Sequence, residues 1–492
     1  VRQSDGAFLL TENLYVNVGA RLELSDEAGL TLRLASTRKG FVSIVSYGGV
    51  LDLHGTDKAP LRIASWDPLT RGPDTDVGDG RAYLRAIGGR FVMSYAAASD
   101  LGFWSGRTGG VGLTGNDLPN SADPAEDGET AQPAAGTDGP AVGNGRFAEP
   151  ALVGIAGSIT HATMRGNAFG LFVGNSRGVS ISDVTVENSV RDGVVLHRFG
   201  SRAPISRVVS RRNGGDGFVL ARATEWVRLD RVSADNNAGN GFTLDGQPLS
   251  SAPSVSGDSM ASYGPNTVSN SVVKGNVRYG VEVVGGHDVG LLGNRVDGGD
   301  MGIVVRAAAA RVRVAGNQIT GHLRQGIAVR EGATAVQVTG NTVAGGETGI
   351  YVRDAVARVE RNSVRDATQH GVTVVGTSAG GVVVGNIITG SGPRAVDLSR
   401  VDGVVDVRDN DVSGWRNERS VWADLRHQVS PMTLLWALIA LVVIWTAGRV
   451  RRWSRGGQPA AEHPYGDKLP LRSAPPREIL PEGRRGGPGM AG

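Results

Sequence analysis

Between Gly170 and Arg400 the apolar and polar positions repeat one short phrase ten times: a small residue, apolar residues in alternation, then a variable pair. The phrases are Gly170-Leu-Phe-Val, Gly193-Val-Val-Leu, Gly217-Phe-Val-Leu, Gly241-Phe-Thr-Leu, Gly280-Val-Glu-Val, Gly302-Ile-Val-Val, Gly326-Ile-Ala-Val, Gly349-Ile-Tyr-Val, Gly371-Val-Thr-Val and Ala395-Val-Asp-Leu. Their spacings, 23, 24, 24, 39, 22, 24, 23, 22 and 24 residues, match one coil of a solenoid and are far too long for a heptad or a hairpin. A second apolar run precedes the phrase, as in Val179-Ser-Ile, Val227-Arg-Leu, Val312-Arg-Val, Val336-Gln-Val and Val382-Val-Val. Alternation with β-branched residues predicts strands, and no coil holds an amphipathic stretch long enough for a helix. Two or three short strands per coil, turned by Gly, Asn and Asp, stack as parallel sheets about 4.8 Å apart. The fold class this predicts is all-β, a right-handed parallel β-helix, followed by one C-terminal transmembrane helix.

Asparagine recurs shortly before the glycine phrase, at Asn188, Asn213, Asn236, Asn276, Asn294, Asn317, Asn341, Asn362, Asn386 and Asn410. Taken as one phase, these residues predict an amide ladder running from coil to coil, because Asn tolerates left-handed turns and its side chain can bond the next rung. That role is structural, and the recurrent glycines likewise serve the turns.

Composition agrees with a repetitive interior. The 492 residues are 40% hydrophobic but only 5% aromatic, with 74 Gly, so the core is built from Val, Ile, Leu and Ala. A net charge of +3 does not point to a nucleic-acid binder. The chain has no cysteine, which excludes disulfides, a thiol nucleophile and cysteine metal ligation.

Residues 429–448 form twenty consecutive residues without a charge, enough to cross a bilayer. Arg449, Arg451, Arg452 and Arg455 follow at once, so the positive-inside rule places the C-terminus in the cytoplasm and the repeats outside. A start at Val1 rather than Met fits a removed export signal. The expected organisation is a cap with irregular early coils over 1–115, a disordered acidic insertion over 116–150, and regular coils over 151–415 with a loop at 246–265. A linker (416–428), the membrane helix (429–448) and a disordered cytoplasmic tail (449–492) complete it.

Residues at one phase of a solenoid form columns. The position just after the glycine phrase gives Gly174, His197, Ala221, Asp245, Val284, Arg306, Arg330, Arg353, Val375 and Ser399; the next adds Arg198, Arg222, Glu331, Asp354 and Arg400. Guanidinium groups repeated at coil spacing suit a linear polyanion, each planar fork taking one carboxylate. The alternative is a solvated corner whose arginines pair with Glu331 and Asp354. For an extracytoplasmic β-helix the expected polyanion is an acidic polysaccharide, by analogy of fold. Arg222, Asp245, Arg306, Arg330 and Arg353 are the expected binding residues.

The stretches Asp192–Phe199 (DGVVLHRF) and Asp216–Ala223 (DGFVLARA), with Arg81–Gly110 upstream, resemble the coils of periplasmic-type mannuronan C5-epimerases. The resemblance implies a uronan-handling groove. In that family the C5 proton is removed from one face and returned on the other, with a cation on the carboxylate. Arg198 matches the family's neutralising arginine, and Arg222 the arginine one coil later. The family's Asp-Pro-His-Asp motif has no counterpart, because after Gly170-Leu171 the chain reads Phe172-Val173-Gly174-Asn175. His197, one coil on and adjacent to Arg198, is the substitute base if catalysis persists. His161, His287, His322 and His370 fall at other phases. Asp183, Asp192 and Asp216 share no evident column, so no metal site and no cofactor is expected, calcium being the nearest option.

Three functions follow: an anchored protein that binds or guides an acidic exopolysaccharide, an active epimerase or lyase using His197 and Arg198, or a non-carbohydrate accessory or interaction β-helix. The expected partners are the polysaccharide, the membrane and a polysaccharide synthase or export complex, with no nucleic acid.

Overall fold

A computed structural model of the chain describes residues 1–115, 154–253, 259–418, 436 and 438–445. The predicted acidic insertion, most of the linker and span, and the tail lie outside these residues. The chain divides into two units, Val1–Ser420 and Val421–Gly492.

The first unit is a parallel β-helix. One sheet, called sheet 1 here, holds 14 strands, and a second of 29 strands, sheet 2, bends round a corner into two faces. Every coil crosses the three faces in turn, so each strand pairs in parallel with the same strand of the coils above and below, as Val194–His197 does with Leu171–Gly174 and with Phe218–Leu220. Early coils obey the same rule, Ile44 standing opposite both Leu14 and Leu84, with antiparallel excursions at Ser36↔Phe41 and Trp66↔Pro73.

Alternation fixes what points inward. In sheet 1 the column Leu171, Val194, Phe218, Phe242, Val281, Ile303, Ile327, Ile350 and Val372 is buried in the main core. Stacking at coil spacing puts like on like, and the rings of Phe218 and Phe242 lie 4.8 Å apart at 9°. The opening glycine of the phrase is needed because its strand passes tightly over sheet 2; a Cβ on Gly193 would collide with Ser210 Oγ.

From Tyr95 onward the two faces of sheet 2 meet at a single residue with left-handed backbone in each coil: Tyr95, His161, Asp183, Arg207, Arg231, Asn270, Arg361 and Asp409, with Gly293, Gly316, Gly340 and Gly385 among them.

The asparagines form two ladders at two corners rather than one. At the corner leading into sheet 1, Asn213 gives its N–H and its side-chain amide to Asn237 Oδ1, and Asn237 does the same to Asn276. At the corner of sheet 2, Asn294, Asn317, Asn341, Asn362, Asn386 and Asn410 continue the pattern, with donor to acceptor distances of 2.8–3.0 Å. Asn188 and Asn236 belong to neither: they are the left-handed residues beside the first ladder, at φ of 55°. Sequence spacing merged the corners because each lies one short strand from the other.

The loop at 246–265 leaves from the end of the Phe242–Gly246 strand and is tied at its base, where Tyr263 N–H donates to Gly246 O at 2.8 Å. The coil that follows is held at all three corners by Asn266, Ser271 and Asn276, each buried and hydrogen-bonded to the preceding coil. The last strand ends at Asn417.

In the second unit, Trp436 and Leu438–Trp445 are helical, and their large apolar side chains are exposed. No helix among the described residues is long and apolar enough to cross a membrane.

Candidate functional site

The outer face of sheet 1 carries three columns. Along the middle run Phe172, Val195, Val219, Thr243, Glu282, Val304, Ala328, Tyr351, Thr373 and Asp397. At the strand ends stand Gly174 and His197, then Asp245, Val284 and Arg306, then Arg330, Arg353 and Val375. A register shift between Thr373 and Val375 then brings Arg400, not Ser399, opposite Val375. The expected column is therefore real, and the bulge adds a cation to its far end.

His197 and Arg198 lie at and just beyond the end of their strand, with the His197 ring 5.2 Å from that of Phe172. Arg198 O accepts the Asn175 N–H at 2.8 Å, and Phe199 N–H donates to Ala223 O, so Arg198 and Arg222 occupy successive coils at one phase. Arg222 Nε contacts Asp245 at 3.2 Å, and its Nη2 donates to Gln247 at 3.1 Å.

The remaining arginines divide into two kinds. Arg306 Nε donates to Glu282 at 2.7 Å, and this carboxylate is only 6% exposed and also accepts from Asn240 at 2.8 Å. Arg306 is thus committed to keeping a buried charge neutral, since leaving Glu282 unpaired would cost several kcal/mol. Arg330 and Arg353 instead reach their sequence neighbours, Glu331 at 3.4 Å and Asp354 at 3.3 Å, whose side chains are half exposed, and Arg306 also approaches Glu331, at 3.5 Å. The Arg353–Asp354 pair is exposed on both sides and weak, about 0–1 kcal/mol. Arg330 Nε is buried and makes no hydrogen bond.

Two groupings were not expected. Asp192 and Asp216 do share a column, at the entrance edge of sheet 1, while Asp183 stands apart at the corner of sheet 2 in a bidentate pair with Arg207. Burial raises Asp192 to about 6 and pushes Asp216 up as well. Among the described residues no three His, Asp or Glu side chains converge to hold a metal ion.

The second grouping centres on His370, which opens a strand of sheet 1 between Thr348 and Arg394. Its Nδ1 lies 2.9 Å from Arg394 O. A carbonyl can only accept, so Nδ1 carries the proton and Nε2 is the basic nitrogen. Nε2 lies 3.9 Å from Asp397, which Arg394 also approaches at 3.5 Å. Tyr351 is on the neighbouring strand, and Thr373 between them has a buried hydroxyl without a hydrogen bond. This brings an imidazole, a carboxylate and a cation together, with the Tyr351 phenol two coils from Asp397 on the same face. The sequence signal was the opening position of the phrase, where His370 precedes Gly371 as Asp192 precedes Gly193.

A family model described as "Right handed beta helix region" matches residues 254–412. The chain is a right-handed parallel β-helix. It resembles the alginate epimerases: a crystal structure of a double mutant of the periplasmic alginate epimerase AlgG superposes with a TM-score of 0.51 at 14% identity, covering 82% of this chain and 77% of that one. The A-module of mannuronan C-5 epimerase AlgE6 from Azotobacter vinelandii matches at 16% identity and a TM-score of 0.41, over 83% and 92% of the two chains. No curated protein matches the sequence. At such identities the likeness is one of fold, and it leaves the site to be argued from its own residues.

Proposed function

We propose that this protein is a membrane-anchored, extracytoplasmic β-helix that binds an acidic, uronan-like polysaccharide along the outer face of sheet 1. The observation that carries the reading is that Arg330 and Arg353 stand in register on adjacent strands, each paired with a half-exposed carboxylate next to it in sequence. A polyuronate carboxylate can displace Glu331 or Asp354 at little cost, and two such exchanges one coil apart select a repeating anion. Arg222 and Asp245 border the same edge. Periplasmic alginate epimerase, the named neighbour, acts on a polymer of this class. The anchor rests on the uncharged stretch 429–448 and the arginines after it, which support a β-helix outside the cell membrane and coupling to a polysaccharide synthase or export complex.

The test is retention of the solubilised protein on an immobilised polyuronate column. Wild type should be retained and released by salt; retention unchanged in the Arg330→Ala, Arg353→Ala double variant would overturn the assignment.

A second reading, a C5-epimerase or lyase, is favoured by the patch of His370, Tyr351, Asp397 and Arg394. His370 Nε2 is placed to take a proton, the Tyr351 hydroxyl to return one, and an arginine to neutralise the carboxylate that acidifies C5. This differs from the expected use of His197 and Arg198, which remains the competing assignment. Proton NMR of polymannuronate incubated with the protein separates the readings: new guluronate or unsaturated-end signals require an enzyme, and their absence removes this reading for that polymer.

A further inference from the structure

The corner of sheet 2 holds an aromatic pair that the sheet 1 reading does not use. Tyr95 and His161, on successive coils, both adopt left-handed backbone at φ of 47° and 48°, and their rings stack 4.7 Å apart at 11°. On the far side of His161 the column continues with Asp183, already taken by Arg207. On the other side the rung before Tyr95 is Gly55, whose N–H donates to Ser94 O at 3.0 Å. It carries no side chain, and a Cβ there would collide with the backbone of Leu61 and Ala59. The chain then detours through Thr56–Pro60, closed on itself by reciprocal bonds of 3.0 Å between Thr56 and Ala59, before Leu61 resumes the sheet opposite Ala96.

The detour and the missing rung leave an open cleft of about 540 Å³ beside Tyr95. Its floor is low because Ala97 and Ser99 point outward where the neighbouring coils carry Arg62, Thr163 and Arg165. Its charged lining is two arginines, Arg62 and Arg165, and two carboxylates, Asp57 and Glu187. Glu187 is engaged by Arg211 and Arg212 at 2.9 and 2.7 Å, and Arg165 reaches it only at 3.8 Å. Arg62 is exposed, and while its backbone N–H donates to Leu30 O at 2.8 Å, its guanidinium has no hydrogen bond or ion pair among the described residues.

We propose that this cleft is a second saccharide site, on the opposite side of the coil from the sheet 1 columns and independent of them, that takes a single pyranose unit bearing a carboxylate. The cleft is large enough for one pyranose ring. The apolar face of the sugar packs against Tyr95, which lines it, while Arg62 and Arg165 take the carboxylate. A concave site with one apolar platform and few polar groups has the usual make-up of a small-molecule pocket.

The experiment uses the full-length, detergent-solubilised protein with D-glucuronate as probe and D-glucose as its uncharged counterpart, read by calorimetry and saturation-transfer NMR. Glucuronate should bind at one site. Arg62→Gln and Tyr95→Asn should each weaken it at least fivefold; Tyr95→Phe should retain it; Arg330→Ala and Arg353→Ala should leave it unchanged. Asn at position 95 keeps the left-handed corner, as Asn270 does at φ of 50°. Equal binding of glucose would overturn the anionic assignment. No binding by wild type, or binding lost with Arg330→Ala and Arg353→Ala but not with Arg62→Gln, would overturn the site, while leaving the sheet 1 reading to its own test.

Discussion

Asp216 gives its backbone N–H to the carboxylate of Asp192, one coil earlier, at 2.6 Å. The next rungs repeat the device: Asn240 N–H donates to Asp216 at 2.7 Å, and Tyr279 N–H to Asn240 at 3.1 Å. A carboxylate thus does at this edge what an amide does elsewhere, at the expense of a buried charge. Burial dominates and raises Asp192 from 3.8 to about 6, so the folded state binds this proton more tightly than the unfolded chain. The stability it contributes is complete below pH 3.8 and is lost as pH rises through about 6. Asp192→Asn should therefore be more stable than wild type at pH 7.5, by about 3 kcal/mol at 1.36 kcal/mol per unit, with the gap closing by pH 4. Thermal melts at the two pH values check this; no gain at pH 7.5 would contradict the burial argument.

The ladders predict a contrast between asparagines. Asn341→Ala removes the acceptor for both the N–H and the amide of Asn317 and leaves buried donors unpaired, costing about 2–4 kcal/mol in urea unfolding. Asn236→Gly, at an exposed left-handed position, should change stability by less than about 1 kcal/mol. Equal effects would mean that Asn236 is a rung of a ladder and not a left-handed residue beside one.

On sheet 1, Arg330→Ala with Arg353→Ala should weaken polyuronate binding at least tenfold at low salt and flatten its salt dependence, without shifting the melting temperature, since the carboxylates they pair with are half exposed. Glu282→Ala should instead destabilise the fold by about 3 kcal/mol or more, because Arg306 and Asn240 lose a buried partner. Calorimetry and melting curves on the same samples distinguish these outcomes.

For the catalytic reading, His370→Gln should abolish any epimerisation or cleavage while leaving uronan retention intact, and His197→Gln should leave turnover unchanged. The reverse pattern would return the base to His197. Single-turnover NMR time courses measure both.

Truncation after Asn417 should release the β-helix into the soluble fraction, whereas the full chain should resist carbonate extraction. Release of the full chain by carbonate would end the anchor proposal.

The period alone made the β-helix and the arginine column legible, because a side chain's face follows from its distance to the opening glycine. Three things did not follow from counting. The bulge that substitutes Arg400 for Ser399 adds a residue inside a strand, and nothing in the local composition marks it. The two Asn ladders have nearly the same spacing and differ only in which short strand they follow. The acidic residues Asp192 and Asp216, and His370, stand just before the phrase, outside the two columns counted after it, whereas the strand edge there turns Asp216 and His370 onto sheet 1. The Asp-Pro-His-Asp motif has no counterpart in the sequence, and that absence says nothing about chemistry elsewhere on the face.

The coil after the loop at 246–265 carries a polar clamp at each of its three corners, Asn266, Ser271 and Asn276. Register there is restored by the clamps and does not depend on what the loop contains. Evolution can therefore lengthen, shorten or replace that loop as a cassette, and a protein engineer can graft a binding peptide into it, without the nine phrases outside that coil having to readjust.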